Sequence, residues 1–312
     1  MQVADGAMPA GTCPTPRMGV PSMSEYVIMT DSSCDLPAAL AEEMELVVLL
    51  LYVDVDGQKY TNYLDEREIS FAEIYAKLRT KCPAKTSAVN MNDFMEPMES
   101  ILKAGKDVLY IGFSSGLSGT YNAGAQAAAE LSEKYPERKL CCVDSLCASL
   151  GQGLLLWHAW NQKKQGKTIE EVRDYAEQNK LHLCHWFTID DLMFLKRGGR
   201  VSGATAIVGS MLSIKPVMHV DNEGHLIKVG TARGRKASIK ALADEAEKTG
   251  IDLENQTIFI SHGDCLEDAN YLADIMRARF NVKDVLVNYV GPVIGAHSGP
   301  GTIALFFLGT ER

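Results

Sequence analysis

From residue 26 onward, short apolar runs alternate with amphipathic stretches. Tyr-Val-Ile-Met-Thr at 26–30 is rich in β-formers and predicts a strand. The next ten residues, from Asp35 to Met44, predict a helix, with Asp35 as cap and Pro37 in the first turn. The continuous apolar run over 46–55 predicts one buried strand, and Asp56-Gly57 after it is a hairpin signal. Helical patterns cover 69–79 and 91–105, the second interrupted by Pro97 and capped by Asn92 or Asp93. Strands are predicted at 107–113 and 139–144, and helices at 118–135, 149–166 and 168–180.

Alternation of strand and helix predicts a parallel sheet with helices on both faces. The second half has a different pattern. Residues 215–230 hold two apolar runs around a turn, an antiparallel hairpin. Three more strands fall at 257–263, 284–290 and 302–309, with a helix over 267–280. That predicts a mixed sheet covered by helices. The expected divisions are a disordered leader over 1–22, which is rich in Gly and Pro, a parallel-sheet domain over 23–165, and a mixed-sheet domain over 166–312.

Composition narrows the function. The 312 residues are 46% hydrophobic and 23% charged, ordinary globular values. A net charge of −9 argues against a general nucleic-acid binder, which needs a basic face. No apolar run approaches the about eighteen residues of a spanning helix, so no integral membrane segment is expected. The leader lacks the basic and apolar regions of a secretory signal. The eight cysteines show no C-x-x-C spacing and read as reduced, mostly buried thiols of a cytoplasmic protein.

Four loops fall where ligands of open α/β sheets bind, beyond strand ends: 30–37, 85–90, 112–120 and 291–301. The third reads Gly-Phe-Ser-Ser-Gly-Leu-Ser-Gly-Thr. Gly112, Ser114 and Gly116 fit the G-x-S-x-G of a nucleophile elbow, and Ser114, Asp264 and His297 stand in hydrolase order. Against this, Leu117-Ser118-Gly119 separates the elbow from its helix, and no H-G-G-G-type motif precedes the serine. The same loop could instead be a helix start capped by Ser118, or a cradle for an anion such as a carboxylate. His297 lies between glycines, beside an apolar run. Lys196 and Arg197 suit a helix end, whereas Arg233, Arg235 and Lys236 crowd a helix start and oppose its dipole. Arg200, after two glycines, is freer.

Taken in order, seven stretches between about 26 and 308 resemble the DegV family of bacterial fatty-acid-binding proteins. They are VIMTDSSCDLP, TSAVN, GFSSGLSGTYNAG, VDSLCASLGQGLLL, LKRGGRVSGATAIVGSMLSIKPVM, ARGRK and GPVIGAHSGPGTIALFF. The resemblance implies an α/β fold of two domains. One is a three-layer α/β/α unit with a parallel sheet, the other a two-layer α/β unit with a mixed sheet, and one long-chain fatty acid lies between them. It implies a lipid-binding subunit, not catalytic alone and without a cofactor or metal. A separate ATP-binding fatty-acid kinase subunit would phosphorylate the presented carboxylate to an acyl phosphate.

By the same resemblance, Thr86, Ser115 and His297 bind the carboxylate. Ser114 and Gly116 belong to the neighbouring head-group loop, and Arg200 and Arg233 face the partner or the phosphoryl group. Thr86-Ser87-Ala88-Val89 departs from the family's usual Thr-Ser-Gln-Pro, altering the loop beside the threonine. A standalone serine esterase or thioesterase using Ser114, and a lipid sensor without a kinase, are the competing expectations.

Overall fold

The computed structural model describes residues 25–201 and 213–312. The expected leader lies outside the described residues, as does 202–212 within the Arg200 stretch. The first half runs β1 (Tyr26–Asp31), α1 (Ala38–Glu43), β2 (Val47–Leu49), β3 (Tyr52–Val55), β4 (Gln58–Thr61), α2 (Phe71–Arg79), β5 (Ala84–Ser87), α3 (Met91–Lys103), β6 (Asp107–Gly112), α4 (Thr120–Lys134), β7 (Leu140–Asp144), α5 (Leu150–Lys164) and α6 (Ile169–Asn179). Strands β2-β1-β6-β7 form a parallel sheet. Helices α3 and α4 pack on one face around Phe94, Met98, Tyr110 and Leu131, and α5 and α6 on the other.

The second half runs β8 (Leu183–Thr188), α7 (Leu192–Gly198), β9 (Ile214–Val220), β10 (Leu226–Arg233), α8 (Arg235–Thr249), β11 (Thr257–His262), α9 (Leu266–Phe280), β12 (Asp284–Tyr289), α10 (Pro292–Ser298) and β13 (Ile303–Leu308). Its sheet has the order β10-β9-β8-β13-β11-β12, and only the β11–β12 pair is parallel. Helices α8 and α9 cover one face through Ile239, Leu242, Leu272 and Met276. The other face packs on α5, so that helix is buried between two sheets. Its glycines allow this. A Cβ on Gly151 would stand 3.0 Å from the Phe306 ring, and one on Gly153 2.8 Å from the Cys34 carbonyl oxygen. The parallel sheet, the mixed sheet and the 215–230 hairpin follow the sequence expectation.

Several local expectations are corrected. The run 46–55 is two strands in two sheets, because after β2 the Leu51 N–H bonds the Ser32 Oγ (3.0 Å) and the chain turns into a small β4-β3-β5 sheet. Pro97 does not interrupt α3. That helix starts at Asn90, whose side chain accepts from the N–H groups of Asn92 and Asp93 while Asp93 accepts from Asn90 N–H. This capping box and the buried Phe94, Met98 and Leu102 offset a proline that costs about 3 kcal/mol in a helix interior. Segment 85–90, expected as a loop, holds most of β5, and 291–301, also expected as a loop, contains α10. The strand β8, buried throughout, had no counterpart in the sequence pattern. The seven described cysteines are unpaired; Cys34, Cys147 and Cys184 are buried and the others half-buried.

Asp35 is not a helix cap either. It is buried in the left-handed region (φ 53°), and its Oδ2 meets the Ser149 Oγ at 2.5 Å. Ser149 Oγ also meets Ser261 Oγ at 3.1 Å, and Asn288 Nδ2 donates to the Asp35 carbonyl at 2.8 Å. This cluster joins the first sheet's loops to β11 and β12.

Burial pushes the Asp35 carboxyl up to about 8. A carboxyl raised on folding is more protonated folded than unfolded, so its contribution is complete below about pH 4. It then declines by up to ~1.4 kcal/mol per pH unit until the pH passes the folded value. Asp35→Asn mimics the neutral form and should flatten that decline. Urea midpoints at acid, neutral and alkaline pH should show the variant gaining on the wild type as pH rises. A constant difference would mean that the folded carboxyl is ionised.

Candidate functional site

Between the two halves lies a cavity whose volume open to the centres of water-sized molecules is about 160 Å³, about ten times what one water needs. Its walls come from β5, the starts of α4 and α5, the inner face of the second sheet, and α10. Leu51, Phe113, Phe187, Leu195, Val293 and Ile294 make it largely apolar.

Thr86 is fixed in β5 by pairing opposite Val53. His297 stands in the last turn of α10. The structure brings the two together: Thr86 Oγ1 and His297 Nε2 share a hydrogen bond of 2.9 Å. Burial, with the Arg200 charge adding to it, pushes the imidazole down to about 4, so at neutral pH it is uncharged. Its Nδ1 is buried without a partner among the described residues. The two glycines of Leu-Lys-Arg-Gly-Gly-Arg have separate jobs here. A Cβ on Gly198 would collide with the His297 ring, and Gly199 (φ 67°) ends α7 in the left-handed region. The turn brings Arg200 to the cavity, where its Nη1 donates to Gly198 O at 2.5 Å.

The serine loop divides into two parts. Ser114 is fully buried; its Oγ donates to Gly224 O (2.8 Å) and accepts from Gly116 N–H (3.2 Å). A Cβ on Gly116 would stand 2.7 Å from Glu223 O. This part braces the turn between β9 and β10. Ser115 is half-buried, its N–H bonds Asp144 Oδ1 (3.2 Å), and it is not among the residues lining the cavity. Leu117, Ser118 and Gly119 line it instead. Ser118 Oγ accepts from Thr120 N–H (3.3 Å), but the cap position of α4 is Gly119, so the expected Ser118 cap is corrected.

The hydrolase arrangement is absent. Ser114 is held by Gly224, Asp264 by Arg79 and Tyr289, and His297 by Thr86. Arg233 is the exposed last residue of β10 and lies away from the cavity lining. Of the three cations at the start of α8, Arg235 is answered within the chain, pairing with Asp268 (2.8 Å) and Asp190 (3.5 Å). Among the described residues no cluster of His, Cys, Asp or Glu could hold a metal ion, and no helix is long and apolar enough to cross a membrane. Sequence reasoning missed Ser33, Ser149, His185, Ser261 and Ser298 as lining residues. Ser33 and Ser298 lie inside two of the four loops singled out, but His185 lies in the strand that went unseen.

The DegV family profile, described as "Uncharacterised protein, DegV family", matches residues 25–310. A DegV domain-containing protein of Clostridium perfringens is 46% identical over 290 residues, 93% of this chain and 99% of that one. A solved fatty-acid-binding DegV family protein from Thermus thermophilus has a TM-score of 0.82 and 30% identity, covering 91% of this chain and 99% of its own. The Streptococcus pneumoniae Fatty Acid Kinase (Fak) B3 protein loaded with linoleic acid shares the fold, with a TM-score of 0.79, 21% identity, and coverage of 91% and 99%. A profile match over nearly the whole described chain, together with a full-length relative at that identity, makes the conclusion direct: the chain belongs to the DegV family.

Proposed function

We propose that the chain binds one long-chain fatty acid in the inter-sheet cavity, with its carboxylate at Thr86 and His297. The observation that carries this reading is a hydroxyl–imidazole pair at an otherwise apolar cavity, in a fold whose relative from Thermus thermophilus binds fatty acid. The Thr86–His297 pair has one proton to spare for the carboxylate, from the Thr86 hydroxyl when Nε2–H donates to it or from Nδ1–H when Thr86 donates to Nε2, and Ser118 with Gly119 adds the positive end of the α4 dipole. Arg200 supplies the cation that a buried carboxylate needs. The role implied for Ser115 passes to Ser118, which does line the cavity.

Burying about fifteen methylenes at ~0.8 kcal/mol each gives on the order of 12 kcal/mol before binding costs. Affinity should therefore be micromolar or better, even after several kcal/mol of those costs. Protein purified from a bacterial host should release near-stoichiometric fatty acid on organic extraction, read by mass spectrometry. Finding no acyl chain would sink the reading.

A head-group role for His297 separates acid from alcohol. His297→Ala should weaken a fatty acid by roughly 1–3 kcal/mol and the matching primary alcohol, which carries no charge, by less. Equal losses for both, together with a lower melting temperature, would assign His297 to packing alone.

The finer step of the proposal is that the bound carboxylate is presented to a separate ATP-binding kinase subunit. Arg200 is exposed and lines the cavity, and Arg233 is exposed at the end of β10. The Streptococcus pneumoniae protein of the same fold carries the kinase name. Arg233→Glu should leave fatty-acid affinity nearly unchanged and strongly reduce acyl-phosphate formation in a reconstituted kinase assay. Parallel loss of binding and phosphorylation would place Arg233 at the ligand instead.

A further inference from the structure

The floor of the cavity is the inner face of the second sheet. There β8 and β13 present Phe187 opposite Ala304 and, one step deeper, His185 opposite Phe306. His185 is 4% exposed, and its ring lies between Phe306 (4.6 Å) and Phe187 (5.7 Å). Its Nδ1 has no hydrogen-bond partner among the described residues. Burial, with Arg312 and His219 adding to it, holds the imidazole well below its usual range, so it is neutral. A neutral imidazole offers one donor and one acceptor. Leaving such a group buried and unpaired is costly, and native interiors seldom do so without a use.

Its depth says what could meet it. Thr302, just past α10, also lines the cavity, and Phe306 lies four residues farther along β13. At ~3.4 Å per residue, His185 is roughly 13 Å down the sheet from the α10 end, where His297 sits. A zig-zag chain of ~1.5 Å bonds advances roughly 1.25 Å per carbon, so His185 lies about ten carbons from the head group. A saturated tail would cover the imidazole and leave it unpaired. Nδ1 is closed to the cavity, so a hydroxyl at that depth would pair with Nε2, accepting from its N–H or donating to it when the proton is on Nδ1.

We propose that the cavity is matched to an acyl chain carrying a hydroxyl near its middle, and that His185 is the residue that reads it. This rests on the fatty-acid reading of the cavity. In a purely apolar cavity the added hydroxyl loses its water and weakens binding. With His185 as partner it strengthens binding, and the preference depends on the position of the hydroxyl along the chain.

The test compares the affinity of stearate with that of hydroxystearates whose hydroxyl is moved along the chain. Wild type should bind the acid hydroxylated at about carbon 10 about tenfold tighter than stearate, with the preference lost when the hydroxyl is near the carboxylate. His185→Phe should lose that preference by at least about tenfold, read as the ratio of hydroxystearate to stearate affinity. If His185→Phe melts early, His185→Leu and the position scan on wild type decide the matter. A mid-chain hydroxyl that weakens wild type and variant alike overturns the proposal. So does a His185 variant that loses stearate itself, which would put the carboxylate at this end. Failure of stearate to bind wild type would bring down the carrier reading instead.

Discussion

Helix α5 can exist only where both of its sides are covered. Leu150, Leu154, Leu155, Leu156 and Ala159 are buried with the glycines between them, so the helix has almost no polar face over its first half. A helix apolar all round belongs in an interior. Here that interior is made by two sheets, and the position of α5 decides how they dock. Where its first turn begins, the sheets are no longer held apart by a helix, and the cavity opens beside Ala148 and Ser149. The buried carboxyl of Asp35 meets the same turn through Ser149, and Ser261 continues the contact to the second sheet. A polar junction of this kind is costly to leave half-satisfied, so it fixes the register of the halves more sharply than apolar contact does.

The cavity inherits its chemistry from that docking. Thr86 comes from the small sheet of the first half and His297 from a short helix of the second, and their hydrogen bond exists only when the halves are assembled. Burial keeps the imidazole uncharged. The positive charge near the pair comes instead from Arg200, outside the apolar wall. A carboxylate placed here would have neutral donors in contact and a cation near the opening. That arrangement limits the desolvation that a buried ion pair would incur.

The fold class was legible because long apolar runs and amphipathic helices survive in any context. The strands at 26–31, 107–112 and 303–308 and the hairpin at 214–233 are of that kind. What escaped depended on partners that periodicity does not contain. The run 46–55 looks continuous, but it changes sheets where Leu51 bonds the Ser32 side chain. β8 reads Leu-Cys-His-Trp-Phe-Thr, without alternation, because it is buried on both faces between β9 and β13. At the site, Thr86 and His297 lay in loops marked by the sequence. Ser115 and Ser118 could not be ranked from the sequence, since which hydroxyl faces inward is set by how Ser114 locks the loop onto Gly224.

The departure at residues 88–89 has a structural answer of the same sort. Val89 is 4% exposed and packs in the core with Met29, Val53 and Phe94, while Ala88 lines the cavity. A proline's fixed backbone is therefore replaced by burial of a branched side chain, which also holds the chain in extended form. Thr86 does not depend on either residue for its position, because β5 pairs with β3 through Val53 opposite Thr86 and Tyr52 opposite Ser87. The ladder fixes the threonine from one side and the valine anchors the segment from the other. With alanine at position 88, the wall carries a methyl group at this point. On the reading proposed above, that apolar patch places more of the head-group recognition on Thr86, His297 and the start of α4.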